Sequence, residues 1–241
     1  MARTAAAVLA LGLVAASPVA SWASGVELHF GAFFPNADSD LFFDDTTLYT
    51  RAPTEAGPPL LKRNDWDGFS WGGEFSFSVD KHVELGLSVD GYTKELDTAY
   101  RDFTRPDGSD IRQTLRLEYI PLGLSVRFLP LNRFAPVQPY LTVGGDVIFY
   151  QYEEFGDFID FFDPDLAIHS DHFFDDGTAF GAHALGGFRY YFNRDFAFTA
   201  EAKYMWSGHD MHGDFSPNGP GLVNRIDLGG WTFTGGVHIR F

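Results

Sequence analysis

The stretch Phe69-Ser70-Trp71-Gly72-Gly73-Glu74-Phe75-Ser76-Phe77-Ser78-Val79, then Asp80-Lys81-His82, then Val83-Glu84-Leu85-Gly86-Leu87-Ser88-Val89-Asp90, decides the fold. Phe69, Trp71, Phe75, Phe77 and Val79 share one parity; Ser70, Gly72, Glu74, Ser76 and Ser78 share the other. After the turn, Val83, Leu85, Leu87 and Val89 oppose Glu84, Gly86, Ser88 and Asp90. Successive side chains of a strand point to opposite faces, so strict alternation is a strand signature. Two such runs joined by three residues form an antiparallel hairpin.

The same alternation recurs along the chain. Upstream, Val26, Leu28, Phe30, Ala32 and Phe34 oppose Glu27, His29, Gly31 and Phe33. Downstream, alternating runs cover about 111–128, 139–150, 179–192, 196–206 and 231–241. In 111–128 the apolar parity changes: Leu115, Leu117 and Tyr119 fall on one, Leu122, Leu124, Val126 and Phe128 on the other. That change predicts a β-bulge near Tyr119-Ile120-Pro121, since one inserted residue restores the facing and Pro is tolerated there.

The pattern therefore predicts eight strands. Connections 80–82, 129–138 and 193–195 are short; 36–65, 93–110, 151–178 and 207–225 are long. Short turns at one end and long loops at the other describe an all-β, eight-stranded antiparallel up-and-down transmembrane β-barrel. Strands of nine or more residues cross a bilayer at a tilt. A soluble barrel would put its apolar face inside. Here almost all ionised strand residues share the face that carries Gly and Ser, which suits a narrow lumen. Aromatics collect near strand ends on the apolar face, at Phe34, Phe69, Trp71, Phe128, Phe192, Tyr204, Trp206 and Phe241, as in interfacial girdles.

The first residues read differently. Arg3 precedes a small apolar run from Ala5 to Ala16, then Pro18 and Ser21-Trp22-Ala23. A positive start, a short apolar stretch and small residues before the cut predict a secretory signal peptide over 1–23, with the barrel domain over 24–241.

Composition excludes several classes. There is no Cys, so disulfides, thiolate metal sites and Cys nucleophiles are ruled out. The net charge of −16 gives no general affinity for nucleic-acid phosphates. No cofactor motif is present.

The charges divide between lumen and loops. The alternation points Glu27, Glu74, Glu84, Asp90, Asp146 and Glu201 inward with Arg127, Arg189, Lys203 and Arg240, near His183. Buried charges persist only when paired, so this set is expected to be a coupled lumen charge network, with both signs in layers at similar heights. The long connections carry most of the acid, above all 151–178, with nine acids and no Lys or Arg. Oxygen-rich stretches attract divalent cations, which makes Asp157, Asp160, Asp163 and Asp165 candidate ligands. His209, Asp210 and His212 are further ones, since imidazole and carboxylate together hold zinc. Phe155, Phe158, Ile159 and Phe162 have the spacing of a helical face before Pro164, which predicts a short helix across the barrel mouth.

Three stretches resemble the small outer-membrane β-barrel proteins of Gram-negative bacteria, the OmpA/OmpX/OmpW-like group: Tyr119-Ile120-Pro121-Leu122-Gly123-Leu124, Phe180-Gly181-Ala182-His183-Ala184-Leu185-Gly186-Gly187 and Gly235-Gly236-Val237-His238-Ile239-Arg240-Phe241. The resemblance implies a place in the outer membrane with both termini in the periplasm. It implies outer-membrane lipid and lipopolysaccharide as surroundings, and the barrel-assembly machinery as a partner reading Phe241. It also implies a non-enzymatic role in envelope structure or surface interaction. An OmpW-like narrow channel for small solutes is the alternative, and a lipid A- or peptide-modifying enzyme a further one. The Asp210-Met211-His212 run is similar to an omptin protease element, but those enzymes have ten strands.

Overall fold

The computed structural model describes residues 24–51, 60–131, 134–215 and 224–241. The expected signal peptide lies outside the described residues. The elements are β1 (Ser24–Pro35), α1 (Asp40–Leu48), β2 (Tyr49–Arg51), β3 (Gly68–Asp80), β4 (Val83–Thr104), β5 (Asp110–Phe128), β6 (Val137–Ile159), β7 (Ile168–Tyr191), β8 (Phe196–Asp210), β9 (Arg225–Asp227) and β10 (Gly230–Arg240). Every pairing is antiparallel, in the order β10-β1-β3-β4-β5-β6-β7-β8, and β8 pairs β10 to close the ring. β2 adds to β4, and β9 to β8.

The register fixes the tilt. A path of paired residues leaves β1 at Gly25 and runs through Ser76, Gly86, Ser125, Gly144, His183, Met205 and Gly230. It meets β1 again at Pro35. Closing a sheet with such a stagger inclines the strands by about 35–45° to the barrel axis.

The barrel has two tiers of opposite chemistry. In the tier beside the short turns, the outside is an apolar belt: Leu28, Phe30, Leu87, Leu124, Leu141, Phe180, Phe198 and Phe233 are all exposed. The inside is polar, with Glu27, Glu74, Asp90, Arg127 and Arg189 buried. In the tier at the loop end, the same inward parity turns apolar. Leu96, Ile111, Leu115, Leu117, Ile148 and Tyr152 are buried there, while Glu95, Arg112 and Glu153 point out.

This inversion corrects the expected bulge. Tyr119-Ile120-Pro121 pairs without a register shift to β6, so odd residues of β5 face inward from Ile111 to Arg127. The parity of the apolar residues changes because the surroundings change from lipid to water, not because a residue is inserted.

Two of the long loops are also corrected. β4 has 22 residues and meets β5 through a tight turn near Arg105–Ser109. β6 and β7, of 23 and 24 residues, leave only a turn from Asp160 to Ala167. The expected helix over 155–162 is β-strand as far as Ile159, paired with β7 up to Ile168. Its helical spacing is coincidental, since Phe155 faces out and Phe162 stands 97% exposed at the hairpin tip. β6 parts from β5 at Gly156, whose φ of 141° places a would-be Cβ 2.5 Å from the Arg112 carbonyl oxygen. Only glycine suits that position.

α1 fills the mouth instead. Leu41 and Phe42 are buried, and Phe42 meets Trp66 edge-on at 5.4 Å. The two tiers meet at a knot of rings: Phe33, Tyr92 and Tyr119 lie 5.1–5.3 Å apart, and the Tyr92 hydroxyl donates to the Trp66 carbonyl.

The two tiers make opposite demands on substitution. Leu87→Arg, in the belt, should destabilise by about 2–4 kcal/mol near the bilayer midplane. Glu95→Leu, outward in the loop-end tier, should stay within about 0.5 kcal/mol of wild type. Leu115→Ala, inward in that tier, should lose about 2–5 kcal/mol. Reversible urea titrations in lipid vesicles measure all three, and wild-type stability of Leu87→Arg or Leu115→Ala would refute the two-tier assignment.

Candidate functional site

The interior of the belt tier is a set of charges brought together by strands far apart in sequence. Arg127, near the turn end of β5, pairs with Glu74 of β3: Nη2 donates to Oε2 at 3.1 Å, and Nη1 lies 2.8 Å from Oε1 as an ion pair. Its Nε donates to Thr142 Oγ1 at 3.2 Å, and Glu201 and Glu84 stand 3.6 and 3.7 Å away. Arg189 of β7 donates to Glu84 at 2.8 Å and approaches Glu27 at 3.7 Å. The Tyr140 ring faces both guanidinium groups, at 4.4 and 5.2 Å from its centroid, and its hydroxyl donates to Glu201 at 2.6 Å. Cation–π contact and charge-assisted hydrogen bonds are strongest in such desolvated surroundings.

Further toward the aromatic knot, Asp90 bonds Lys203 and also His29 Nε2, the latter at 2.7 Å. Asp146 pairs with His183 Nδ1 at 2.6 Å. Glycine makes room for these groups. A Cβ on Gly72 would lie 2.2 Å from an Asp90 oxygen and 2.5 Å from His29 Nε2.

Ten of the eleven residues expected in the lumen network thus lie inside, but not in the expected layers. Glu27, Glu74, Glu84, Glu201, Arg127 and Arg189 form one cluster rather than two levels. Arg240 leaves the network: its guanidinium lies 4.4 Å over the Tyr191 ring at the rim and donates to the Arg194 carbonyl. The lumen therefore holds six carboxylates against three permanent cations, not four. His29 was not placed in the network from sequence, nor were Tyr140 and Thr142. Their inward parity was visible, yet their partners are 61 and 15 residues distant. Phe241 faces outward, 61% exposed, with its ring 6.5 Å from that of Phe75.

The candidate metal ligands of the loop end are dispersed. Asp157 pairs with Arg105 and accepts from Ser170 at 2.6 Å. Asp160 and Asp163 accept from the backbone N–H groups of Phe162 and Asp165, within the hairpin turn that also holds Asp165. His209 and His212 lie 5.7 Å apart by ring centroids, and His209 packs on Tyr150, while Asp210 stands opposite Arg225 in the backbone register of β8 and β9.

In the loop-end tier Asp45 and Glu154 are buried side by side, with no cation paired to either among the described residues. Tyr152 donates to Asp45 at 2.8 Å and lies 3.2 Å from Glu154, which also accepts from Tyr49 at 3.2 Å. Burial, then the neighbouring Glu154, pushes the Asp45 carboxyl well above its ordinary range, and burial raises Glu154 to about 7. Each carboxyl accepts from a tyrosine hydroxyl, but burial still favours the neutral acid, so both hold a proton to higher pH than an exposed carboxyl does.

Residues 6–241 match the model of a family described as the outer membrane protein beta-barrel domain. Among solved structures, the chain is similar to the outer membrane protein OprG from Pseudomonas aeruginosa, at 12% identity over 92% of this chain and 96% of that one, with a TM-score of 0.53. It is also similar to a major outer membrane protein from Thermus thermophilus, at 11% identity over 92% and 100%, with a TM-score of 0.51. At such identities the likeness speaks for the fold alone. No curated protein matches by sequence.

Removing one partner from a buried ion pair leaves a charge uncompensated, at a cost of about 3–5 kcal/mol. Arg127→Ala should therefore destabilise the refolded barrel far more than Arg101→Ala, whose side chain is exposed beside Asp102. Equal urea midpoints for the two would contradict the buried cluster.

The acid pair sets a second expectation. A carboxyl whose folded pKa is raised binds its proton more tightly folded than unfolded. Its stabilising effect is full below the ordinary carboxylate range and fades as pH rises through about 7. Exchange of α1 amide hydrogens, corrected for intrinsic rate, should be faster at pH 8 than at pH 5.5. Glu154→Gln should remove most of that difference, and a pH-independent wild type would refute the raised carboxyls.

Proposed function

The chain belongs to the outer membrane protein β-barrel family, and from that premise we propose that it is a closed, non-catalytic barrel serving envelope structure or surface contact. In this reading the short turns and both termini face the periplasm. The loop-end tier stands outside the membrane as a folded platform.

The observation that carries the reading is a lumen filled at three successive levels. Arg127 and Arg189, at 2% and 0% exposure, block the lumen together with Tyr140 and their four glutamates. Above them the Phe33, Tyr92 and Tyr119 rings close the bore, and the apolar core around α1 and Trp66 closes it again. A conducting lumen needs a hydrated path, and side chains can fill a barrel of this strand number completely.

The outer tier supports the surface role. Its wall is polar and largely acidic. The β6–β7 tip carries Phe161, Phe162 and Leu166 exposed, an apolar point on an acidic support. Single exposed apolar residues are ordinary, but several at one tip mark a contact site. Lipopolysaccharide and lipid would surround the belt, with Trp71, Trp206 and Trp231 at its upper margin.

In planar bilayers the refolded protein should show no stepwise openings. Steady single-channel conductance by the wild type would overturn the closed reading in favour of a narrow channel.

A further inference from the structure

Within the sealed lumen, Glu27, His29 and Glu201 each offer a ligand atom, and these atoms all lie within 4.8 Å of one another. Among the described residues this is the only group of three or more histidines and acids that comes together in this way. Both Glu27 carboxylate oxygens and His29 Nδ1 are buried without a hydrogen-bond partner, although the two residues are only 1% and 6% exposed. Glu27 Oε2 turns toward Arg189 Nε at 3.7 Å, whereas Glu27 Oε1 and His29 Nδ1 face each other at 3.9 Å, too far for a hydrogen bond. Buried polar atoms are nearly always satisfied, so that facing pair calls for an occupant.

From this geometry we propose that the lumen binds one borderline divalent transition-metal ion, of the Zn²⁺ class, through Glu27, His29 and Glu201. The second sphere is already in place. His29 Nε2 lies 2.7 Å from Asp90, which is itself paired with Lys203. A metal-bound imidazole characteristically donates its other ring N–H to a carboxylate, which fixes the tautomer and leaves the free nitrogen for the ion. Glu201 is oriented in the same manner, by the Tyr140 hydroxyl at 2.6 Å.

Charge points the same way. Glu27, Glu74, Glu84 and Glu201 face only Arg127 and Arg189 in their cluster. A doubly positive ion neutralises that excess inside a wall that excludes water. The ligand set also selects the ion. One imidazole with two carboxylates suits zinc-like metals, whereas Ca²⁺ takes six to eight oxygens. His29 Nδ1 and Glu27 Oε1 are 3.9 Å apart. Bonds of about 2.0–2.2 Å to a tetrahedral ion require them to close by roughly half an ångström. The rival occupant is a proton on His29, which would bridge Asp90 and Glu27.

The test begins with the full mature chain refolded in detergent with Zn²⁺, then dialysed against chelator. We expect one retained zinc per folded chain by elemental analysis and a higher thermal midpoint than for chain refolded in chelator. X-ray absorption of this wild-type sample should show one imidazole and the remaining first-shell ligands as oxygen. Glu27→Gln and His29→Ala, confirmed as folded by heat-modifiable mobility, should lose the ion. Asp90→Asn should weaken retention about 10–100-fold as a positioning effect. His209→Ala combined with His212→Ala should leave binding unchanged. No retained zinc in the wild type, or a first shell of two or more imidazoles, overturns the proposal. So does retention that survives Glu27→Gln and His29→Ala. Because the metal count and the ligand types of the wild type can already overturn the proposal, it stays falsifiable even if a variant fails to fold.

Discussion

Two guanidinium groups with almost no access to water govern the interior of this barrel. Arg127 and Arg189 cannot shed their charge, so each needs carboxylates at bonding distance. β3, β4, β7 and β8 must therefore present Glu74, Glu84, Arg189 and Glu201 to one small volume, opposite Arg127 of β5. A slip of one residue in any strand would carry its charge to the lipid face. The cluster thus specifies register, and register sets the tilt that gives the barrel its bore. Small residues follow from the same need: Gly72 and Gly86 stand where a Cβ would strike Asp90, His29 or Glu74.

The second organising fact is that the wall passes through two solvents. A strand that leaves the bilayer keeps its pleat but not its surroundings. Its outward side chains then meet water, and its inward ones join a core of the kind found in soluble proteins. The loop-end tier is such a protein, built on the projecting ends of β4 to β7 and closed by α1. The Phe33, Tyr92 and Tyr119 knot marks the boundary, polar below and apolar above. Rings suit that place because they bury a large area, and the Tyr92 hydroxyl still finds the Trp66 carbonyl as its acceptor.

Alternation made the eight strands and the turn-end hairpins legible, because outward residues there meet a uniform apolar medium. The same criterion misread the upper strands. Along β5, Leu115 and Leu117 lie on the face that carries Arg127 further down, so one unbroken face looked like a bulge. In 151–178, the inward residues include Tyr152, Glu154 and, on the facing strand, Asp175, so acids share the buried face and no simple apolar rule marks it. The lumen charges were readable as a set, since parity alone turns them inward. Their pairing was not. His29 meets Asp90 over Gly72 of the strand between them, and Arg240 slides out to the rim because Tyr191 and the Arg194 carbonyl hold it there.

The central claim is that the guanidinium groups of Arg127 and Arg189 are walled off from water in the folded protein. Water-edited solid-state NMR of the arginine-labelled barrel in lipid bilayers observes this directly. Signals from Arg127 and Arg189 should build up slowly from the water pool, far behind that of exposed Arg101. Build-up as fast as that of Arg101 would mean a hydrated bore and would contradict the account.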